Sequence, residues 1–553
     1  MMKRISWPVL ALGGLLFFLI VCPLAELAIQ ALYVDGSWEL SYAAATLAEP
    51  QNAQMIGNSL RLGVLVVLTA TVISLPLAYL LSRTSWAGSS ALELLFFVPF
   101  MTPPYIAAMG WILFMQKNGL LAQLVPSLSE GVPPFFSLAG LVLVMSLHIF
   151  PFLTLFLKNA MLEIPASLEE AAAIAGAGPW LRLRRIFLPL LTGNYAIGAL
   201  LVFVKTLSEY GTPYTLGRRI GYDVFTTDIH RYASIAPISF GKAAVLSSVL
   251  VLICLLLWLV QSEITRRKSY HLIGGRGARH AFPRLRGWKR AAGIAYLAAA
   301  FTASVFVPIS AVFFTSIIRL RGYGLQWGNF TLAHYQELLL DDTRALNALG
   351  SSLVLAIFAA AICAVLGTLI VLAVRRSGRW GKGLEGCSLL PEMLPGIVLV
   401  IGLMLFWNDI YDVLPLYHSF GILLLTYVVL FLPFTVQYVT SSFTQIQASL
   451  LSAGRVFGGT PRYVFFHITL PLIRRGVLAG AMMTFIISLR ELVAPSLIAP
   501  PNTLVISTYI VREFEQGSVS AGMAMAMLCL GLTWGMMVLL RRSLQRWQGT
   551  GRW

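Results

Sequence analysis

Twelve stretches of this chain are apolar over the length a helix needs to cross a bilayer, about 20 residues. They fall at 8–33, 56–81, 92–115, 138–157, 191–207, 243–261, 292–317, 350–373, 388–407, 420–440, 476–498 and 521–540. Within hydrocarbon every backbone N–H and C=O must be paired inside the protein, which a helix achieves and an open strand does not. The 553 residues are 58% hydrophobic and 11% charged, more apolar side chain than a soluble core hides. The expectation is an all-α polytopic membrane protein of about twelve transmembrane helices.

A net charge of +17 invites a nucleic-acid reading, but the placement of the basic residues argues against one. With the N-terminus inside, 28 of the 40 Lys and Arg fall in inward-facing segments, which is the asymmetry of the positive-inside rule with both termini cytoplasmic. The charge therefore describes topology, with the lipid bilayer as partner and no nucleic acid. The basic start reads as a retained first helix, because the apolar run is too long for a signal peptide and no small-residue cleavage site follows Pro23. Five cysteines, at 22, 254, 363, 387 and 529, show no paired spacing and read as packing residues. His148, His271, His280 and His467 stand singly, without the i, i+4 pairing of a helical metal site, and no G-x-S-x-G is present. Neither a metal site nor a catalytic site is expected within the chain.

The chain repeats itself. Gly57-Asn58-Ser59-Leu60 matches Gly350-Ser351-Ser352-Leu353, Arg83 matches Arg376, Gly88 matches Gly381 and Pro99 matches Pro391, at offsets of 292 or 293. Two parallel six-helix halves follow, 1–265 and 291–553. The stretch 266–290, rich in basic residues, Gly and Pro, reads as a cytoplasmic linker between them. Its Gly274-Gly275-Arg276-Gly277 is not a phosphate loop, since no strand precedes it, and no G-x-x-x-x-G-K-[ST] occurs anywhere. Any nucleotide chemistry belongs to another polypeptide.

The sharpest repeat lies at an offset of 282, where residues 170–189 read EAAAIAGAGPWLRLRRIFLP and residues 452–471 read SAGRVFGGTPRYVFFHITLP. Ser167-Leu168-Glu169-Glu170 has the form of a capping box, so a short helix is expected to begin at Ser167. Gly176 and Gly178 stop it, Pro179 suits the first turn of a second helix, and Leu188-Pro189 leads into the next span. Small Ala and Gly residues permit close approach by a partner, and Glu169, Glu170, Arg182, Arg184 and Arg185 supply charge around the contact. One copy could equally be an amphipathic connector lying on lipid. Two copies in register favour docking to a repeated partner.

These loops resemble the cytoplasmic signature of the integral permease subunits of binding-protein-dependent ABC importers: E-A-A, three residues, Gly, nine residues, Ile-x-Leu-Pro. Glu170, Ala171, Ala172, Gly176, Ile186, Leu188 and Pro189 fill every place. The second copy keeps Ala453, Gly458, Ile468, Leu470 and Pro471, but has Ser452 for Glu and Gly454 for Ala. Within the class the chain is most similar to the fused ferric iron permeases, through Leu207-Ser208-Glu209-Tyr210-Gly211-Thr212-Pro213, Val224-Phe225-Thr226-Thr227-Asp228-Ile229 and Leu489-Arg490-Glu491-Leu492-Val493-Ala494-Pro495. The resemblance implies a type I ABC importer permease in the bacterial inner membrane. It also implies two copies of a cytoplasmic ABC ATPase on the loops and a periplasmic substrate-binding protein on the outer face. ATP and Mg would then be bound by the ATPase and no cofactor by this chain. Thiamine and phosphonate importers share the layout.

Glu209 and Glu491 occupy equivalent positions near membrane depth, where an ionisable group is read as functional by default. Carboxylates flanking a path suit a hard cation. Local compensation explains them as well, with Lys205 four residues before Glu209 and Arg490 beside Glu491, and this is the reading the sequence favours. An ion-coupled secondary transporter of two halves, or less readily a membrane-embedded enzyme, are the alternatives that the doubled loop argues against.

Overall fold

The computed structural model describes residues 7–34, 36–87, 89, 92, 98–99, 101–127, 132–267 and 285–549. Gly88, the start of the third apolar run and most of the 266–290 linker lie outside the described residues.

The structure is helical apart from a two-residue hairpin, Tyr33–Val34 with Ser37–Trp38. Its main helices begin with α1 (Trp7–Leu32), α2 (Pro50–Arg83), α3 (Pro104–Met115), α4 (Leu138–Glu163), α5 (Ala166–Ile174), α6 (Leu188–Ser208), α7 (Phe225–Ser234), α8 (Phe240–Arg267) and α9 (Gly287–Ile317). They continue with α10 (Thr343–Arg376), α11 (Gly378–Met393), α12 (Gly396–Asp409), α13 (Phe420–Thr444), α14 (Ala448–Val456), α15 (Leu470–Leu489), α16 (Ile506–Glu515) and α17 (Val519–Gly549). Among the described residues ten helices are long and apolar enough to cross a membrane, and they coincide with ten of the twelve apolar runs. The run at 388–407 is not one straight span. Its helix breaks between α11 and α12 with a bend of 109°. Pro395 is the cause: it has no N–H to give, and it holds Leu394 extended (φ −107°, ψ 150°). In the third run the described part is α3, which begins after Pro103 just as α12 begins after Pro395.

Contacts divide the chain into two compact units, one of residues 1–48, 229–251 and 331–553, the other of residues 49–228 and 252–330. In the second unit α2, α4 and α6 pack together; in the first, α10, α13 and α15 do the same. Small residues set these crossings, as lipid-embedded packing favours. A Cβ on Gly198 of α6 would lie 2.9 Å from Leu153 of α4, and one on Gly480 of α15 would lie 2.9 Å from the Thr435 backbone of α13. Hydroxyls add hydrogen bonds between helices. Ser74 donates to the Phe150 carbonyl at 3.0 Å, and Thr435 meets Thr484 at 3.1 Å.

Each unit takes its leading helix from the other half of the sequence. In the first unit α1 lies against α12, where Gly402 lets the Pro23 carbonyl within 2.8 Å of where a Cβ would sit. In the second unit α9 lies against α3, with Gly110, 292 residues before Gly402, facing the Pro308 carbonyl in the same way. Pro23 and Pro308 both fall inside apolar helices, next to widened turns at Phe17–Val21 and Thr302–Phe306.

Replacing Gly402 with Ile is expected to drive α1 off α12 and cost about 1–3 kcal/mol, seen as a lower unfolding temperature in detergent. Gly531→Ala in α17, where nothing lies within 4 Å, should leave that temperature unchanged.

Candidate functional site

Two segments carry the site, one in each unit. In the first, Ile164 is extended and Pro165 is the residue before α5, so the helix begins at Ala166. The expected capping box is therefore not formed. Pro165 starts the helix ahead of Ser167, and no side chain caps it. Glu170, Ala171 and Ala172 lie along α5, with Glu170 and Ala171 exposed; the Glu169 side chain lies outside the described residues.

The helix stop is built as the sequence indicates. Gly176 takes φ +76°, its N–H bonds the Ala173 carbonyl at 3.0 Å, and the Ala177 N–H reaches back to the Ala172 carbonyl at 2.8 Å. In the second segment Gly458 takes φ +81°, with Gly458 N–H on Arg455 at 3.0 Å and Gly459 N–H on Gly454 at 3.0 Å. Both are left-handed glycine caps that satisfy the last carbonyls of α5 and α14. A Cβ at either glycine would touch nothing within 4 Å, so a side chain here is disfavoured by backbone conformation and not by crowding.

After the bend the two copies stay parallel. Pro179–Arg182 and Pro461–Val464 are single helical turns, followed by π-type turns at Leu183–Phe187 and Phe465–Thr469. Ile186 and Ile468 lie in those turns, and Leu188-Pro189 and Leu470-Pro471 open α6 and α15. The widened turn follows from the proline: its nitrogen gives no hydrogen bond, and its ring pushes away the carbonyl four residues earlier.

The departures in the second copy have a visible cause at Gly454. A methyl group there would come within 2.5 Å of Ile468 Cδ1, so α14 packs closer to its π-type turn than an alanine allows. Ser452 and Ala453 are exposed on the outer side of α14. A cavity of about 250 Å³ is lined by Arg375, Arg455, Val464 and Phe465 among others.

One further pair of residues is not apparent from motif spacing. Ile174 is 89% exposed and Val456 83% exposed, and they are 282 residues apart. Each is the last residue of its short helix, an apolar side chain held outward beside the glycine cap. The shared offset is the signal in the sequence that could have found them, but the small residues around them dominate the motif.

Glu209 and Glu491 mark the ends of α6 and α15, each within its own unit. The Glu209 carboxylate accepts the Thr212 N–H at 3.0 and 3.1 Å, and Glu491 Oε1 accepts the N–H groups of Val493 at 2.9 Å and Ala494 at 3.2 Å. Their carbonyls are also taken, that of Glu209 by the Thr226 hydroxyl at 2.8 Å and that of Glu491 by the Ser507 hydroxyl. Ser59 of α2 and Ser352 of α10, from the repeated tetrapeptides, accept the first N–H groups of α7 and α16, from Phe225 at 2.9 Å and Ile506 at 2.8 Å. The two carboxylates thus brace broken helices. Among the described residues no group of three or more His, Cys, Asp or Glu is placed to hold a metal ion.

A bundle of membrane-crossing helices that presents the same glycine-capped helix twice defines a two-fold transport permease. Residues 70–270 and 365–548 match the binding-protein-dependent transport system inner membrane component family, and the chain belongs to that family. It is a non-catalytic, multi-pass membrane component of ABC importers, a class that works with a binding protein and an ATPase. The chain is 25% identical to the ferric transport system permease protein FbpB of Actinobacillus pleuropneumoniae over 94% of its own length and 76% of that protein. It is 24% identical to the putative ferric transport system permease protein FbpB 1 of Haemophilus influenzae over 90% of its length and 78% of that protein. Over 210 residues, 37% of the chain, it is 28% identical to the putrescine transport system permease protein PotI of Escherichia coli, covering 74% of that protein.

Gly176→Val and Gly458→Val are each expected to cost about 1–2 kcal/mol locally, to leave membrane insertion intact, and to lower ATP-dependent transport. Transport by purified variants in vesicles, with yield as the control, measures this.

Proposed function

We propose that this permease imports ferric iron handed over by a periplasmic binding protein, driven by two copies of a cytoplasmic ATPase seated on α5 and α14. The observation that carries the driving part is the duplicated, glycine-capped helix with an outward apolar residue at Ile174 and Val456. An exposed apolar side chain on a small-residue helix is suited to a partner's groove and costly to leave in water. Glu170, Ala171, Ala172, Ser452, Ala453 and Gly454 would form the contact around it. Ile186, Leu188, Pro189, Ile468, Leu470 and Pro471 would transmit its movement into α6 and α15.

The iron assignment rests on similarity along nearly the whole chain to ferric transport permeases. Phosphonate remains the second reading, because a putative 2-aminoethylphosphonate transport permease of Salmonella choleraesuis, PhnV, matches 47% of the chain at 25% identity. Both termini would be cytoplasmic. Closure of the ATPase pair on ATP and Mg would bias the permease between inward-open and outward-open forms through its differential contacts with the two helices. In this reading Glu209 and Glu491 hold the helix breaks and are not iron ligands.

Reconstitution with the ATPase and candidate binding proteins, offered labelled ferric iron, thiamine or phosphonate, tests the assignment. Iron uptake that needs ATP and falls on the order of tenfold in the Ile174→Asp, Val456→Asp double variant supports it. Uptake of phosphonate alone, or uptake that follows an ion gradient without ATP, overturns it.

A further inference from the structure

The two copies of the loop differ in what fills the space between the short helix and the spans beside it. At α14 that space is the cavity of about 250 Å³. It is lined by Arg375 in the last turn of α10, Phe443 at the end of α13, Arg455 in α14 and Thr469 just ahead of α15, with Leu451 and Val464 as apolar wall. The helices α10, α13 and α15 are each long and apolar enough to cross a membrane, and the cavity sits where these three spans end. That is the depth of lipid headgroups. Trp380, five residues beyond Arg375, and Tyr463, beside Val464, are both exposed, as aromatic residues at a membrane surface are.

In the unit that holds α5 the equivalent space is filled by protein. Under the offsets of 282 and 293, Met161, Ala173 and Phe187 stand in the places of Phe443, Arg455 and Thr469, and Ser82 stands in the place of Arg375. The equivalence holds in space, since Ser82 Oγ donates to Met161 Sδ at 3.3 Å just as Arg375 lies over the Phe443 ring at 5.5 Å. Arg83, next to Ser82, is buried. It donates to the carbonyls of Met161 and Ile164, and its guanidinium lies 5.2 Å from the centre of the Phe187 ring. The copy at α14 has a threonine instead of that ring and an arginine instead of Ala173, and there a cavity is left. The Arg376 side chain lies outside the described residues.

The cavity is positive. No Asp or Glu lines it, and neither Arg375 nor Arg455 pairs with a carboxylate among the described residues. Within 331–553 the side chains that are not described include no Asp or Glu. Two guanidinium groups lining one small space repel each other, and an anion between them turns that repulsion into charge-assisted hydrogen bonds. The planar fork of arginine matches phosphate oxygens. Leu451, Val464 and Phe443 suit the glycerol and first methylenes of a lipid better than a fully hydrated ion. The volume is below the roughly 300–1,000 Å³ of a site for a drug-sized ligand, and basic pockets between spans at a bilayer surface take acidic headgroups.

We propose that this cavity binds the phosphate group of an anionic phospholipid between Arg375 and Arg455, in the place that the other copy fills with its own Arg83 and Phe187. Arg455 adjoins Val456, so a bound lipid stiffens the second contact helix and not the first. That consequence for coupling rests on the proposed function; the binding itself does not.

The test uses purified permease in mild detergent, titrated with phosphatidylglycerol, phosphatidylcholine or inorganic phosphate. Retained lipid is counted by native mass spectrometry, and the unfolding temperature is followed alongside. The unaltered permease should retain one more phosphatidylglycerol than Thr469→Phe, which puts back the ring of the other copy, and than the Arg375→Gln, Arg455→Gln double variant. Affinity at this site should fall about tenfold or more in each, and phosphatidylcholine, which carries no net charge, should not replace the lost lipid. Where Thr469→Phe lowers the unfolding temperature without lipid, the double variant of two exposed arginines decides. Equal retention by the unaltered permease and the deciding variant overturns the site, as does retention without preference for phosphatidylglycerol over phosphatidylcholine. Stabilisation by inorganic phosphate that matches phosphatidylglycerol and is lost in the same variants supports the site and overturns the lipid as its source. Selective retention by a permease that captures no ATPase leaves the site standing and overturns the proposed function instead.

Discussion

An unpaired backbone N–H or C=O within a bilayer costs several kcal/mol, and this structure is organised around the places where its helices stop short of pairing everything. At the ends of α6 and α15 the carboxylates of Glu209 and Glu491 take the N–H groups that begin the next segments, and hydroxyls from Thr226 and Ser507 take the carbonyls of those same glutamates. Ser59 and Ser352 then receive the first donors of α7 and α16. A helix broken near membrane depth is tolerable because side chains from neighbouring helices satisfy the freed groups locally. The same requirement shapes the segments outside hydrocarbon, where Gly176 and Gly458 turn the backbone left-handed so that the last carbonyls of α5 and α14 are met by N–H groups just beyond.

These stops divide each unit into short and long helices. A continuous span would carry no lever. Here α5 and α14 are short helices tied to long ones through π-type turns ahead of Pro189 and Pro471. Under the proposed function a push on either would be delivered to a helix whose other end is braced by a glutamate. Within each unit a leading helix from the opposite half of the sequence packs on a broken helix through Gly402 or Gly110.

Much of this is legible in the residues, for identifiable reasons. Apolar length marks spans because the bilayer has a fixed thickness, and ten helices lie where the runs do. The glycines at 176 and 458 are legible because only glycine readily takes φ near +80°. The capping box misleads because Ser167-x-x-Glu170 is a local pattern, and Pro165 two residues earlier decides where the helix begins. The bend of 109° looks like one span in the sequence because hydropathy averages over a Pro-Gly step at 395–396 that the backbone does not ignore. Ile174 and Val456 are hidden because their exposure depends on tertiary placement. The bracing role of Glu209 and Glu491 is hidden because their donors are backbone groups that no side-chain pattern reveals.

Chemical cross-linking from the two outward positions tests the central claim most directly. With the five native cysteines replaced, Ile174→Cys and Val456→Cys permeases would be treated, in membranes containing the ATPase, with a thiol-reactive photo-cross-linker, with and without ATP. Both positions should capture the ATPase, with a yield that changes when ATP is bound, and both should be labelled only by reagents that reach the cytoplasm. Labelling of either from the outside of intact cells, or capture of no ATPase at both, would contradict it.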